Sequence, residues 1–165
     1  MSRQVELDPV LEPVPVRESV VQDVCSHAVE SVPEECCGLV VGNELERYQR
    51  VVRCTNEMTA LHLQDPEQWP RNGRTAFFMS PSDVLRVSRD AEEAGLVVSA
   101  VYHSHVGAGA YLSDTDLAYA ENILFPFPAA DQIVVGVKGG SAGELGGFRS
   151  RSGNFAGHPV RSVEG

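Results

Sequence analysis

Leu96-Val97-Val98-Ser99-Ala100-Val101-Tyr102-His103-Ser104-His105 is the stretch that decides how this chain folds. Its apolar run leads straight into the histidines and reads as a buried strand. Side chains alternate along a strand with period two, so His103 and His105 share one face and can point at one atom. Ser104 between them faces the other way and reads as packing. Upstream, Ser80-Pro81-Ser82-Asp83 opens a helix running to about Ala94, with Gly95 as its stop. Downstream, Ser113-Asp114-Thr115-Asp116 fits a second helix start, with Ser113 as N-cap and an acid at the third helical position. Asp116 stands eleven residues after His105 and offers a third, oxygen ligand. Two histidines and one carboxylate, with a fourth position left for water, is the ligand set of a catalytic zinc site rather than a closed structural one. Capping and ligation are compatible, because a cap fixes where the helix begins and so where Asp116 points.

A second element lies far upstream, at Pro33-Glu34-Glu35-Cys36-Cys37-Gly38-Leu39-Val40-Val41-Gly42. A carboxylate immediately before a short apolar strand is suited to stand at a strand edge facing the site. The bland reading of Glu35 is an exposed strand-edge acid. Glu-x-Cys-Gly, then His-Ser-His and Ser-x-x-Asp, together resemble the JAMM/MPN+ metalloprotease family, also called Mov34/MPN/PAD-1. Glu35, His103, His105, Ser113 and Asp116 match that pattern, including the seven residues between His105 and Ser113. The resemblance spans roughly residues 14 to 149. It implies a single α/β (α+β) domain of the MPN/JAMM, cytidine-deaminase-like kind, with a central mixed β-sheet flanked by helices. It also implies Zn2+ held by His103, His105 and Asp116, Glu35 as general base, and Ser113 as hydrogen-bond donor to the oxyanion. Glu34 would face the opposite side if the backbone is extended there. Val106 departs from the pattern, since many members carry proline directly after His-Ser-His.

At 165 residues one domain with its own core is expected. Hydrophobic content of 42% and charged content of 22% are ordinary for a soluble globular protein. No apolar stretch approaches the ~20 residues of a membrane span, and Met1 to Val16 lacks a hydrophobic signal core. Cys25, Cys36, Cys37 and Cys54 show no paired C-x-x-C spacing, so reduced thiols in the cytoplasm are the simplest reading. The net charge of −10 argues against nucleic acid as a partner; a salt-adapted source would produce the same surplus.

Residues 1–13 read as an extended lead-in and 14–149 as the catalytic domain. Within it, Val20, Val21, Val24, Ala28 and Val29 mark a helix over Val16 to Glu30. Cys36 to Val41 and Arg47 to Cys54 read as strands paired through a hairpin around Gly42-Asn43. Asn56 to Arg74 reads as a long loop and Thr75 to Met79 as a short strand. Further strands are expected at Gln132 to Lys138 and Leu145 to Arg149, and 150–165 as a polar, mobile tail.

The family hydrolyses amide and isopeptide bonds after ubiquitin-like C-terminal tails. Members that handle polyubiquitin carry a sizeable insertion after the metal-ligand helix, for which Ala118 to Ala130 leaves little room. The resemblance therefore favours a compact prokaryotic-type peptidase acting on a small ubiquitin-like or sulfur-carrier protein ending in Gly-Gly. An extended tail would add to an exposed sheet edge. Two alternatives stay open: a non-catalytic MPN scaffold in a protein complex, whose mark is loss of metal ligands, and a zinc hydrolase of small-molecule amides. A Cys-His hydrolase is a further rival, but nothing selects Cys36 or Cys37 over Cys25. His27, His62 and His158 are isolated and read as surface or loop residues.

Overall fold

The computed structural model describes residues 3–151 and 154–164. Its elements are β1 (Val5–Glu6), β2 (Val14–Arg17), α1 (Glu18–Ser31), β3 (Cys37–Gly42), β4 (Arg50–Cys54), α2 (Met58–Gln64), α3 (Pro81–Glu93), β5 (Val97–Val106), β6 (Tyr111–Leu112), α4 (Asp114–Glu121), β7 (Asp131–Lys138), β8 (Ser141–Arg151) and β9 (Asn154–Val163). Seven strands form one mixed sheet in the order β2-β9-β8-β7-β5-β3-β4, while β1 pairs with β6. The helices flank this sheet, which is the α+β architecture the sequence predicts.

β5 is buried from Ser99 to His105, and its two faces meet different layers. In α1, Val20, Val24 and Ala28 recur every four residues, the stripe of a helix that buries one side. They pack with Val40, Ala100, Tyr102, Ile133 and Val135. On the other face, Val87 and Ala91 of α3 join Leu39, Val41, Val101, Phe77 and Met79. Each such aliphatic side chain removed from water contributes about 1.5–3 kcal/mol, so both layers lock β3 and β5 in register. That register sets Gly38 opposite Tyr102, where a Cβ would stand 2.4 Å from the phenol ring. Only glycine lets the aromatic lie flat there. α3 begins and ends as its sequence predicts: Ser80 caps it by accepting from the Asp83 N–H, and Gly95 leaves it at a φ of 71°.

β5 and β7 run parallel, so the chain must cross from the end of β5 back to the start of β7. α4 lies on that crossover. Its first turn therefore sits beside the C-terminal end of β5, where His105 stands.

Several expectations are corrected. Residues 150–165 do not form a mobile tail: within the described residues, 154–163 are β9, an interior strand. Its polar composition and Pro159 disguise it. The antiparallel ladder to β8 uses Asn154 to Pro159 and the parallel ladder to β2 uses Val160 to Val163, so the proline sits at the handover, where a missing N–H is tolerated. The loop expected over Asn56 to Arg74 contains α2, which buries only Met58. Thr75 to Met79 is not a strand but a single bridge between Asn56 and Met79. The Asn56 side chain replaces a strand neighbour, accepting from the Phe78 N–H at 3.0 Å and donating to the Ala76 carbonyl at 3.2 Å. The lead-in 1–13 is partly ordered as β1, and the Asp8 N–H donates to the Gly157 carbonyl at 2.8 Å.

His27 is more than a surface residue. Its Nδ1 lies 2.7 Å from the Tyr102 hydroxyl, a hydrogen bond that ties the ring to a buried phenol. Burial, helped by Arg53 and opposed by Glu30, pushes this imidazole down from 6.5 to about 4. Because the folded value lies below the unfolded one, the stability it contributes is complete above pH 6.5 and is lost as pH falls toward 4. The stability advantage of wild type over His27→Gln should therefore narrow across that window in thermal melts. A difference that does not change with pH would contradict a neutral, buried His27 in the fold.

Candidate metal centre

Strand alternation aims His103 and His105 from the end of β5 toward one point, and the crossover brings Asp116 to meet them. The three ligand atoms form a nearly equilateral triangle: His103 Nε2 to His105 Nε2 is 3.2 Å, and Asp116 Oδ2 is 3.1 Å from each. All three residues are buried. Asp116 is aimed by a capping box at the start of α4. Ser113 Oγ accepts from the Asp116 N–H at 3.1 Å, and Asp116 Oδ2 accepts from the Ser113 N–H at 3.0 Å. The cap expected from the sequence and the converging carboxylate are thus one arrangement.

The donor set suits a metal. Ligands held about 2.0–2.2 Å from a tetrahedral zinc stand ~3.3 Å from one another, close to the triangle's edges. His105 Nδ1 lies 3.0 Å from the Gly109 carbonyl, an acceptor that draws the ring proton to Nδ1 and leaves the Nε2 lone pair free. Nδ1 of His103 is buried without a partner. Burial alone would raise the Asp116 carboxyl, but His103, His105 and the Ser113 N–H hold it well below the carboxylate range. Burial opposes charge on His105, yet Asp116 raises that imidazole overall. An anionic carboxylate between two imidazole nitrogens is a ready cation site.

His105 and Asp116 open onto a cleft of ≈ 390 Å³ lined also by Glu35, Arg71, Arg74, Tyr111 and Ser113, with His103 buried behind them. Glu35 is not the exposed acid of the bland reading: it is 6% exposed. Its backbone is pinned from two sides, the N–H donating to the Gly73 carbonyl at 2.7 Å and its carbonyl accepting from the Asn56 amide at 3.0 Å. Its Oε1 is buried with no partner. Burial, opposed by His105, pushes its carboxyl up to about 8. Glu34 is turned aside, accepting from the Thr59 hydroxyl at 3.1 Å.

Several supports were not legible in the motifs. Ser104 is fully buried and accepts from the Cys36 N–H at 2.7 Å, tying the Glu35 segment to the histidine strand. Phe77 stacks on His103 with centroids 4.6 Å apart, and Tyr111 lies against His105 at the same distance. The Glu144 carboxylate accepts from the Ala110 N–H at 2.8 Å, steadying the loop after Val106. The four cysteines are free, and three are buried. Burial raises the Cys36 thiol to about 12 and the Cys37 thiol well above its usual value, so neither is primed as a nucleophile. His62 and His158 bond backbone carbonyls through Nδ1.

Comparison with known proteins gives a consistent result. The model for prokaryotic homologs of the JAB domain matches residues 17–145. The chain is 29% identical over 150 residues to the CysO-cysteine peptidase of Mycobacterium tuberculosis, covering 90% of each chain. Solution structures of proteins from Desulfitobacterium hafniense and Salinibacter ruber share the fold. The first has a TM-score of 0.68 at 19% identity, covering 92% of this chain and 93% of that one. The second has a TM-score of 0.60 at 23% identity, covering 92% of both.

Proposed function

Because the chain belongs to the prokaryotic homologs of the JAB domain, we propose that it is a zinc-dependent peptidase. Its proposed substrate is a small ubiquitin-like or sulfur-carrier protein, cut at the peptide or isopeptide bond that follows the Gly-Gly tail. The observation that carries this reading is the convergence of His103, His105 and Asp116, two of which share a cleft with Glu35, whose Oε1 is buried without a partner among the described residues.

In this reading His103, His105 and Asp116 hold the ion. Zinc bound there supplies Lewis acidity, which polarises a carbonyl and acidifies water. Glu35 takes the proton of the attacking water. Its burial raises its proton affinity, which suits a base that must then hand the proton on to the leaving amine. Ser113 already accepts from the Asp116 N–H through a lone pair, so its hydroxyl hydrogen is free to donate to the oxyanion. The mycobacterial relative is by name a CysO-cysteine peptidase, which supports a carrier protein as substrate here. Four unpaired thiols suit a reducing cytoplasm. Among the described residues no helix is long and apolar enough to cross a membrane.

Mass spectrometry of zinc-loaded protein incubated with CysO-cysteine, polyubiquitin and small amides tests the proposal. Cleavage of the carrier immediately after Gly-Gly is the expected result. Activity confined to polyubiquitin or to free amides would overturn it.

A further inference from the structure

The cleft carries two cations that the proposed chemistry leaves unused. Arg71 and Arg74 line it beside Glu35, in a chain with 23 acidic residues against 13 basic ones. Arg3, Arg17, Arg47, Arg53 and Arg86 pair with carboxylates; Arg50, Arg89, Arg149, Arg151 and Arg161 have no ion pair among the described residues, but none of these lines the cleft. Arg71 and Arg74 have no such partner among the described residues. What sets these two apart is their place: in an acidic chain, both unpaired guanidinium groups line the same cleft as Glu35.

Their position is built rather than incidental. Gly73 stands between them, buried, with its carbonyl accepting from the Glu35 N–H at 2.7 Å and its N–H donating to Thr59 Oγ1 at 2.8 Å. A Cβ on Gly73 would lie 2.3 Å from Glu34 Oε1, so the loop docks directly on the Glu34-Glu35 segment. Asn72 closes it further, its side chain accepting from the Arg74 N–H at 2.9 Å. Both arginines are therefore carried on backbone fixed to the general base.

That placement assigns them a side of the reaction. Glu35 must deliver its proton to the leaving nitrogen, so the leaving group lies on the Glu35 side. Ser113, bonded to Asp116, marks the acyl side where the oxyanion forms. We infer that Arg71 and Arg74 form a carboxylate-reading subsite for the leaving group, so that the enzyme releases a single C-terminal amino acid bearing a free α-carboxylate. This rests on the peptidase reading above and narrows it, because a lysine side chain leaving from an isopeptide bond brings no carboxylate to that position. The water oxygen bonds to the carbonyl carbon, the carbon–nitrogen bond breaks, and the proton held by Glu35 passes to the amine. The products are the carrier's glycine carboxylate and the free amino acid. A planar guanidinium fork matches such a carboxylate in two parallel hydrogen bonds.

The test compares CysO-cysteine with the same carrier ending in cysteinamide, which differs only in the terminal charge. Zinc-loaded wild type should favour the acid by about 10–100-fold in kcat/KM, the range for hydrogen bonds to a charged group. Most of the difference should appear in KM, as for lost ground-state binding. In the double variant Arg71→Ala/Arg74→Ala the preference should collapse toward one, and Arg71→Lys/Arg74→Lys should restore part of it. Calorimetric titration of Glu35→Gln protein with the two forms gives a readout independent of turnover and should show the same preference. Equal cleavage and equal binding of acid and amide by wild type would overturn the subsite while leaving the peptidase reading intact. So would a double variant that keeps the preference. Cleavage of neither form would overturn both.

Discussion

Glu35→Gln should lower kcat by about 10²–10⁴-fold, the usual contribution of a positioned general base, while metal content and fold are kept. The amide fits the same space and the same backbone anchors to Gly73 and Asn56, but it cannot take a proton. Oε1 of Glu35 is buried without a partner among the described residues, a costly state that a water bonded there would relieve. The carboxyl's rise to about 8 has burial as its first cause, so ionising it in the metal-free protein costs stability. A group raised in this way contributes stability that is complete below its unfolded value of 4.5 and lost as pH climbs through about 8. Metal-free Glu35→Gln should therefore melt at or above the wild-type temperature at neutral pH, separating lost chemistry from lost folding. Glu34→Gln is the control, since Glu34 is occupied with Thr59. A nearly active Glu35→Gln beside a dead Glu34→Gln would mean that the wrong carboxylate has been assigned.

What the sequence made legible was periodic or local. Alternation put His103 and His105 on one face, and Ser113 with Asp116 signalled a helix start within four residues of chain. The fold class followed from such patterns. What was hidden depended on distant backbone. β9 is mostly half-buried along its length and is held by ladders to two different neighbours, so composition reads it as tail. Asn56 stands in for a strand through its side chain, a substitution that no hydrophobic pattern reports. Arg71 and Arg74 are ordinary loop residues until Gly73 is seen docked on Glu35. Ser104 looked like packing because it points away from the histidines, and its bond to the Cys36 N–H spans 68 positions of chain.

His105→Ala should abolish metal binding and reduce hydrolysis to background. Elemental analysis of wild type should give about one zinc per monomer, as three protein ligands with an open fourth position require. His105 is the informative ligand to remove. Asp116 also closes the capping box with Ser113, and losing such a cap alone costs about 0.5–2 kcal/mol. Variants at Asp116 therefore mix metal loss with helix loss. His103 is wholly buried and stacked on Phe77, so its removal opens a cavity. Among the described residues His105 hydrogen-bonds only the Gly109 carbonyl outside the triad, and its alanine variant should fold. Linkage supplies a second readout. A ligand that binds only the native state at a thousand times its Kd stabilises it by about 4.1 kcal/mol. Adding zinc to metal-free wild type should raise its melting temperature accordingly, and adding it to His105→Ala should not. Equal zinc in the two proteins, or no zinc in wild type purified under metal-replete conditions, would remove the metal from the mechanism.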